Sequence, residues 1–237
     1  MHLFISAGEP SGDLHGANLI RELKKLDPTI RLSGFGGERM AAAGCHLLYP
    51  LCDLAVVGLA PVIANLPRFW RLLGMADRFF QTQRPDALVL IDYPGFHWWL
   101  ARRARAHGIP VLYFVPPQIW GWLTYRVHKM RRLIDRVLCT FRFKEEWYRQ
   151  RNVDAQYIGH PYFDELRAQR LDSAFVQEQR GKPGIVVGVL PGSRNSELHF
   201  NLSSLLRTAV LIHARRPDTR FLVACFRDSH RRQVEEC

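Results

Sequence analysis

Short apolar runs alternate with longer amphipathic stretches along most of the chain. Residues 2–7 (HLFISA) predict a first strand, and residues 16–25 predict a helix carrying Leu19, Ile20 and Leu23 on one face. A second short strand is expected at residues 30–34. Residues 87–91 (ALVLI) and 111–115 (VLYFV) are unbroken apolar runs, with a helix over 98–107 between them. A basic helix over 126–134 leads into a strand at 136–140. Continuous runs of β-prone residues belong to strands covered on both faces, as in parallel sheets. Strand–helix alternation at this spacing is a βαβ series, so the fold class expected is α/β, a doubly wound Rossmann-like domain.

His160-Pro161 closes that region, and residues 164–182 are polar and helix-prone. A second series then opens, with a strand at 185–190, a loop at 191–195, a helix at 197–214 and a strand at 220–225. Two or three elements cannot bury both faces of a parallel sheet. The organisation expected is therefore residues 1–163 as one Rossmann-like domain, and 164–237 as a linker and the first part of a second, truncated one. Residues 59–80 break the pattern. They crowd Leu66, Phe69, Trp70, Leu72, Leu73, Phe79 and Phe80 among Arg68, Arg71 and Arg78. Either they form a core helix, or they form an interfacial helix or acyl-chain groove, since aromatics interleaved with arginine suit a lipid headgroup boundary.

Composition narrows the classes. An apolar fraction of 47% and a charged fraction of 23% are those of a soluble globular protein. No apolar run reaches the ~20 residues a membrane span needs, and the first residues lack the basic region of a secretory signal. A cytoplasmic location is expected. The five cysteines are scattered without a CxxC pair, which reads as reduced thiols rather than a metal or redox site. The net charge of +11 favours anionic partners: nucleic acid, an acidic membrane surface or phosphorylated substrates. An ordinary solvated basic face is the alternative. No nucleic-acid-binding module is recognisable.

Three places could carry chemistry. Residues 6–16 are expected to form a loop from the first strand to the first helix. Ser6, Ala7, Gly8, Ser11, Gly12 and Gly16 would let backbone approach a ligand, where such folds bind one. The loop is neither GxGxxG nor a Walker motif. Glu9 and Asp13 disfavour a phosphate there and could accept hydrogen bonds from sugar hydroxyls; otherwise Asp13 is a helix cap. Asp92, in IDYPGFHWW, ends a buried strand and is either a general base or an N-cap, and His97 has a similar choice of roles. In LPGSRNSE, Gly192, Ser193 and Arg194 precede a helix. They form either an anion cradle or a tight turn with an exposed arginine.

Taken together, the segments AGEPSGDLHGA, GFGGERMAAAG, DYPGFHWWLARRARAHGIPVLYFVPPQIWGW, YIGHP and LPGSRNSE resemble the lipid-A-disaccharide synthase family, which is similar to GT-B glycosyltransferases. The resemblance implies a hexosyltransferase that moves 2,3-diacylglucosamine from UDP-2,3-diacylglucosamine to 2,3-diacylglucosamine 1-phosphate, giving the β-1,6 disaccharide phosphate and UDP. It implies work at the cytoplasmic face of the inner membrane, on an anionic surface, with no metal or cofactor. The family's essential aspartate falls on Asp92 and its essential arginine on Arg194, with substrate contacts at Gly8, Glu9, Ser11, Gly12, Asp13, His97, Gly192, Ser193 and Glu197. The family's SGD loop falls on Ser11, Gly12 and Asp13. His97 stands where asparagine is usual. FRFKEE (residues 141–146) stands where the family carries FPFE; this puts Lys144 in place of a carboxylate, and no role is assigned there. Family members are longer. The alternative is therefore a non-catalytic lipid- or sugar-binding half needing a partner chain, either a second copy or a separate C-terminal half. Sugar-nucleotide epimerases are a further rival without support in the motifs.

Overall fold

The computed structural model of the chain describes residues 1–54, 66–192, 195–225 and 228–236. Two compact units are present, Met1–Ala168 and Gln169–Cys237. The first opens with β1 (His2–Ala7), α1 (Pro10–Leu26), β2 (Arg31–Phe35), α2 (Glu38–Ala42) and β3 (His46–Tyr49). After the described helix α3 (Leu66–Gln83) come β4 (Ala87–Ile91), α4 (Pro94–Ala106), β5 (Val111–Phe114), α5 (Ile119–Trp122) and α6 (Val127–Leu133). The unit closes with β6 (Arg136–Cys139), α7 (Arg142–Arg149), β7 (Ala155–Tyr157) and α8 (Pro161–Ala168). Its seven strands form one parallel sheet in the order β3-β2-β1-β4-β5-β6-β7.

Alternation within each strand sends side chains to two separate cores. Phe4, Leu88, Leu90, Val111 and Tyr113 face one core with Leu72, Ala76 and Phe80 of α3 and Leu100, Ala101 and Ala104 of α4. Leu3, Ile5, Ala7, Val89 and Ile91 face the other, with Ala17 and Ile20 of α1 and Met40 of α2. Apolar residues on both faces are why these strands read as unbroken runs. The short strands β3 and β7 lack such runs and went unpredicted.

α1 is the main local correction. It begins at Pro10 rather than near residue 16, so the connection from β1 is only Gly8 and Glu9. Proline at the first helical position has its φ already set for a helix and has no N–H to leave unpaired. The small residues after it serve helix packing instead of a loop: Gly12 lies against Ala7 and Ile91, and Gly16 against Met40.

The second unit holds α9 (Ser173–Gly181), β8 (Val186–Val189), α10 (Asn195–Arg215), β9 (Arg220–Val223) and α11 (Asp228–Glu235). β8 and β9 pair in parallel, as a β-α-β unit requires. The Arg220 guanidinium ties β9 to the end of α9 through the carbonyls of Gln179 at 2.8 Å, Lys182 at 3.1 Å and Pro183 at 3.0 Å. Cation donors at a helix C-terminus satisfy carbonyls that have no partner within the helix.

Candidate active site

Strand order reverses between β1 and β4, and doubly wound sheets bind ligands outside the carboxyl ends of the strands at such a point. Gly8 and Glu9 leave β1 there, and Asp92 and Tyr93 leave β4. The Tyr93 ring lies directly on Gly8, so a Cβ at position 8 would sit 2.3 Å from its Cδ1. Gly8→Ala should therefore force the ring aside and destabilise the unit by about 1–3 kcal/mol. Thermal unfolding of the variant checks this, and an unchanged Tm would remove the close approach.

Asp92 and Tyr93 both adopt left-handed backbone, with φ of 51° and 50°, and Val115 after β5 does so at 54°. Each costs about 1–2 kcal/mol for a residue with a Cβ, and such conformers gather at functional sites. The strain is held by two side chains on one carbonyl. His97 Nδ1–H donates to the Asp92 carbonyl at 2.6 Å, and the Tyr113 hydroxyl donates to it at 2.8 Å. His97 is fully buried, and burial pushes its pKa down to about 3. The ring is therefore neutral. With its proton fixed on Nδ1, Nε2 accepts from the Ser6 hydroxyl at 2.9 Å.

The backbone of Asp92 is thus bolted to β1 and β5, while its carboxyl group is left for chemistry. Burial raises the carboxyl pKa, against the lowering effects of the Tyr93 N–H and the Lys144 ammonium. A carboxylate whose pKa is moved toward neutrality is a better proton acceptor.

Two expected substrate contacts have other work. His97 has both ring nitrogens engaged inside the protein, so it positions Asp92 and does not face a substrate. Asp13 is 5% exposed and accepts from the backbone N–H groups of Gly37, Arg39 and Met40 at 2.8, 3.0 and 3.1 Å. It caps α2, a helix 24 residues away, rather than its own helix or a sugar. Gly12 is buried against Ala7 and Ile91, and Ser11 is half-buried in the first turn of α1. Glu9 is the N-cap residue of α1, with extended backbone and no capping bond from its side chain.

In the second unit, Gly192 has φ of 119°, and a Cβ on it would lie 2.5 Å from Cβ of Glu197 in the first turn of α10. Ser193 and Arg194 lie outside the described residues, as do positions 59–65 of the aromatic–arginine stretch. The described part of that stretch is amphipathic on α3. Leu72, Leu73, Ala76 and Phe80 enter the core, whereas Leu66 and Trp70 are exposed. Leu66, Phe69 and Trp70 line an apolar cavity of about 280 Å³ with Tyr93, Phe96 and Trp99, next in sequence and space to Asp92. Arg102 lies over the Trp99 ring at 5.0 Å. Tyr93 and Tyr113 escaped the sequence reading because an aromatic in an apolar stretch gives no local sign of its polar end.

A reversing parallel sheet with a carboxylate at the reversal, followed by a second β-α-β unit, defines a GT-B-like fold. A UDP-GlcNAc 2-epimerase from Neisseria meningitidis has it, with TM-score 0.65 and 10% identity, covering 100% of this chain and 68% of that one. MurG from Acinetobacter baumannii matches with TM-score 0.52 and 14% identity, over 94% of this chain and 65% of that one. At these identities the likeness is one of fold. Sequence is more specific: the model of the lipid-A-disaccharide synthetase family matches residues 3–237, and the chain belongs to that family. The lipid-A-disaccharide synthase of Syntrophotalea carbinolica is 40% identical over 235 residues, 98% of this chain and 60% of the relative. That of Geobacter sulfurreducens is 40% identical over 229 residues, 93% and 58% respectively. The chain spans about three-fifths of the length of these curated relatives.

Proposed function

We propose that this chain is the acceptor-activating part of a glycosyltransferase of lipid A synthesis. It would join 2,3-diacylglucosamine, taken from its UDP derivative, to 2,3-diacylglucosamine 1-phosphate. The observation that carries the reading is Asp92: a carboxyl group of raised pKa on a strained backbone, clamped by His97 and Tyr113 at the strand-order reversal. The Asp92 carboxylate takes the proton of the acceptor 6-hydroxyl. The oxygen attacks the donor anomeric carbon, the bond from that carbon to the diphosphate breaks, and UDP leaves from the opposite face with inversion. Arg194 and the loop carrying Gly192 and Ser193 offset charge growing on the diphosphate.

The apolar cavity beside Asp92 suits an acyl chain. Exposed Trp70 and Trp99, with arginines around them, suit the boundary of an anionic membrane. No described helix is long and apolar enough to cross a membrane. A second reading, a half that works only with a partner, is favoured by Leu190, Val210 and Leu211, which are 75%, 68% and 67% exposed in the second unit. One assay separates the two: disaccharide formation by this chain alone, and by this chain fused to the C-terminal two-fifths of a relative. Activity of this chain alone removes the second; activity only in the fusion shows that the remaining two-fifths is required. In whichever form is active, Arg194→Ala should lower the rate by about 10²–10³-fold. Normal turnover by that variant would remove arginine from the mechanism.

A further inference from the structure

Lys144 is buried without a direct ion pair among the described residues. It sits in the first turn of α7, three residues after the N-cap Phe141, and is 2% exposed. Its Nζ lies 4.9 Å from the centre of the Phe141 ring and makes no hydrogen bond or ion pair among the described residues. Desolvation disfavours an ammonium there. So does the positive end of the helix dipole, where Glu145 is the acidic residue of the first turn and Arg142 a second cation. Only the face of the Phe141 ring and the charge of Asp92 offset this, without a hydrogen bond or ion pair, and a side chain that breaks several local rules at once marks function.

Its surroundings are basic too. The Phe141 ring is 5.1 Å from His160, which follows β7, and His160 stacks on Tyr162 at 5.3 Å. His15 of α1 stands 5.2 Å from Tyr162 and 6.5 Å from His160. His15 is 6% exposed, and its Nδ1 is buried with no partner. α1, α7 and the segment after β7 thus set three nitrogen bases in a row at the carboxyl edge of the sheet, Lys144 linked to His160 through the Phe141 ring and His160 to His15. Lys144 and His15 are buried and without hydrogen bonds at Nζ and Nδ1 among the described residues.

We propose that Lys144, His160 and His15 form a binding site for the phosphate monoester of a sugar phosphate. The proposal rests on the glycosyltransferase reading above and assigns this site to the acceptor's phosphate, because it shares the rim that carries Asp92. Phosphate oxygens supply the acceptors that Lys144 and His15 lack, and the N-terminus of α7 adds to the attraction. The carboxyl groups that act on the cluster are Glu165, which accepts the Asn18 amide at 3.1 Å, and Asp92, which acts on Lys144. Burial lowers the pKa of both histidines, helped at His15 by His160 and at His160 by Lys144, while Glu165 raises that of His15. They start neutral, and a bound dianion draws protons onto them.

The test is histidine side-chain NMR on the ¹⁵N-labelled chain, titrated with N-acetylglucosamine 1-phosphate, inorganic phosphate and UDP. Saturable shifts at His15 and His160 with the sugar phosphate, and a rise in the pKa of both, are expected. Lys144→Met, which replaces the buried cation with an apolar group of similar length, should weaken binding by roughly tenfold or more. Lys144→Arg should retain most of it. Binding unchanged in Lys144→Met, or no saturable shift at either histidine, would overturn the proposal. So would tighter binding of UDP at the same rings, which would give the site to the donor. Binding is read without turnover. A chain that binds the sugar phosphate but transfers no sugar when completed brings down the catalytic reading alone. A completed enzyme that transfers normally while the chain shows no phosphate-dependent shift brings down this one alone.

Discussion

Asp92→Asn should lower the rate of disaccharide formation by about 10²–10⁴-fold while leaving the fold intact. Asparagine tolerates left-handed backbone about as well as aspartate does, and His97 and Tyr113 grip the main-chain carbonyl, which the substitution keeps. What disappears is the proton acceptor. The same variant should be more stable than the parent at neutral pH. Because the folded-state pKa of Asp92 is raised, the folded protein binds its proton more tightly than the unfolded chain does. Stability contributed this way is full below the unfolded carboxyl pKa and is lost as pH rises through the folded one. Asparagine never ionises, so the difference in Tm between variant and parent should shrink as pH falls. The activity of the parent should fall as acid protonates Asp92, on a limb above the ordinary carboxylate range. A destabilised Asp92→Asn protein, or one with near-normal turnover, would show that Asp92 holds the loop together and does no chemistry.

Asp13→Ala should act on stability instead. Its carboxylate accepts three backbone N–H groups, two of them in buried bonds, at a helix start with no other side-chain cap. Removing it leaves those donors without partners, at about 3–5 kcal/mol in all. For a unit of this size Tm falls by roughly 10 °C. The site is closely fitted, since a Cβ on Gly37 would approach Asp13 Oδ2 to 2.6 Å. Thermal unfolding, with Ser11→Ala in the same helix turn as a control, decides the matter. An unchanged Tm with a raised KM for the acceptor would return Asp13 to the substrate.

These two aspartates show where reading the sequence stops. Asp92 directly follows β4 and Asp13 lies in the first turn of α1 just after β1, and both fall on positions the family resemblance marks. Asp92 is at a strand end whose direction the apolar run ALVLI makes plain, so its place on the rim was legible. Asp13 takes its role from Gly37, Arg39 and Met40, which are distant along the chain and carry no local sign of needing a carboxylate. His97 was misread for the same reason, because its partners Ser6 and Asp92 become neighbours only when β1 and β4 pair. In the sequence Lys144 is only a departure from the family pattern, standing where a carboxylate is usual. Its burial, with Nζ over the Phe141 ring, is seen only in the folded chain.

The sequence by itself determined the α/β class, the parallel sense of the buried strands and the position of Asp92 on the rim. These follow from local periodicity and from strands covered on both faces, which neighbouring residues record. The tertiary structure alone decided that the first turn is two residues long, that Asp13 and His97 hold the frame, and that Lys144 is a buried cation. Those outcomes depend on contacts between residues far apart in the chain, where burial and the need to satisfy polar groups are settled only after the sheet has formed.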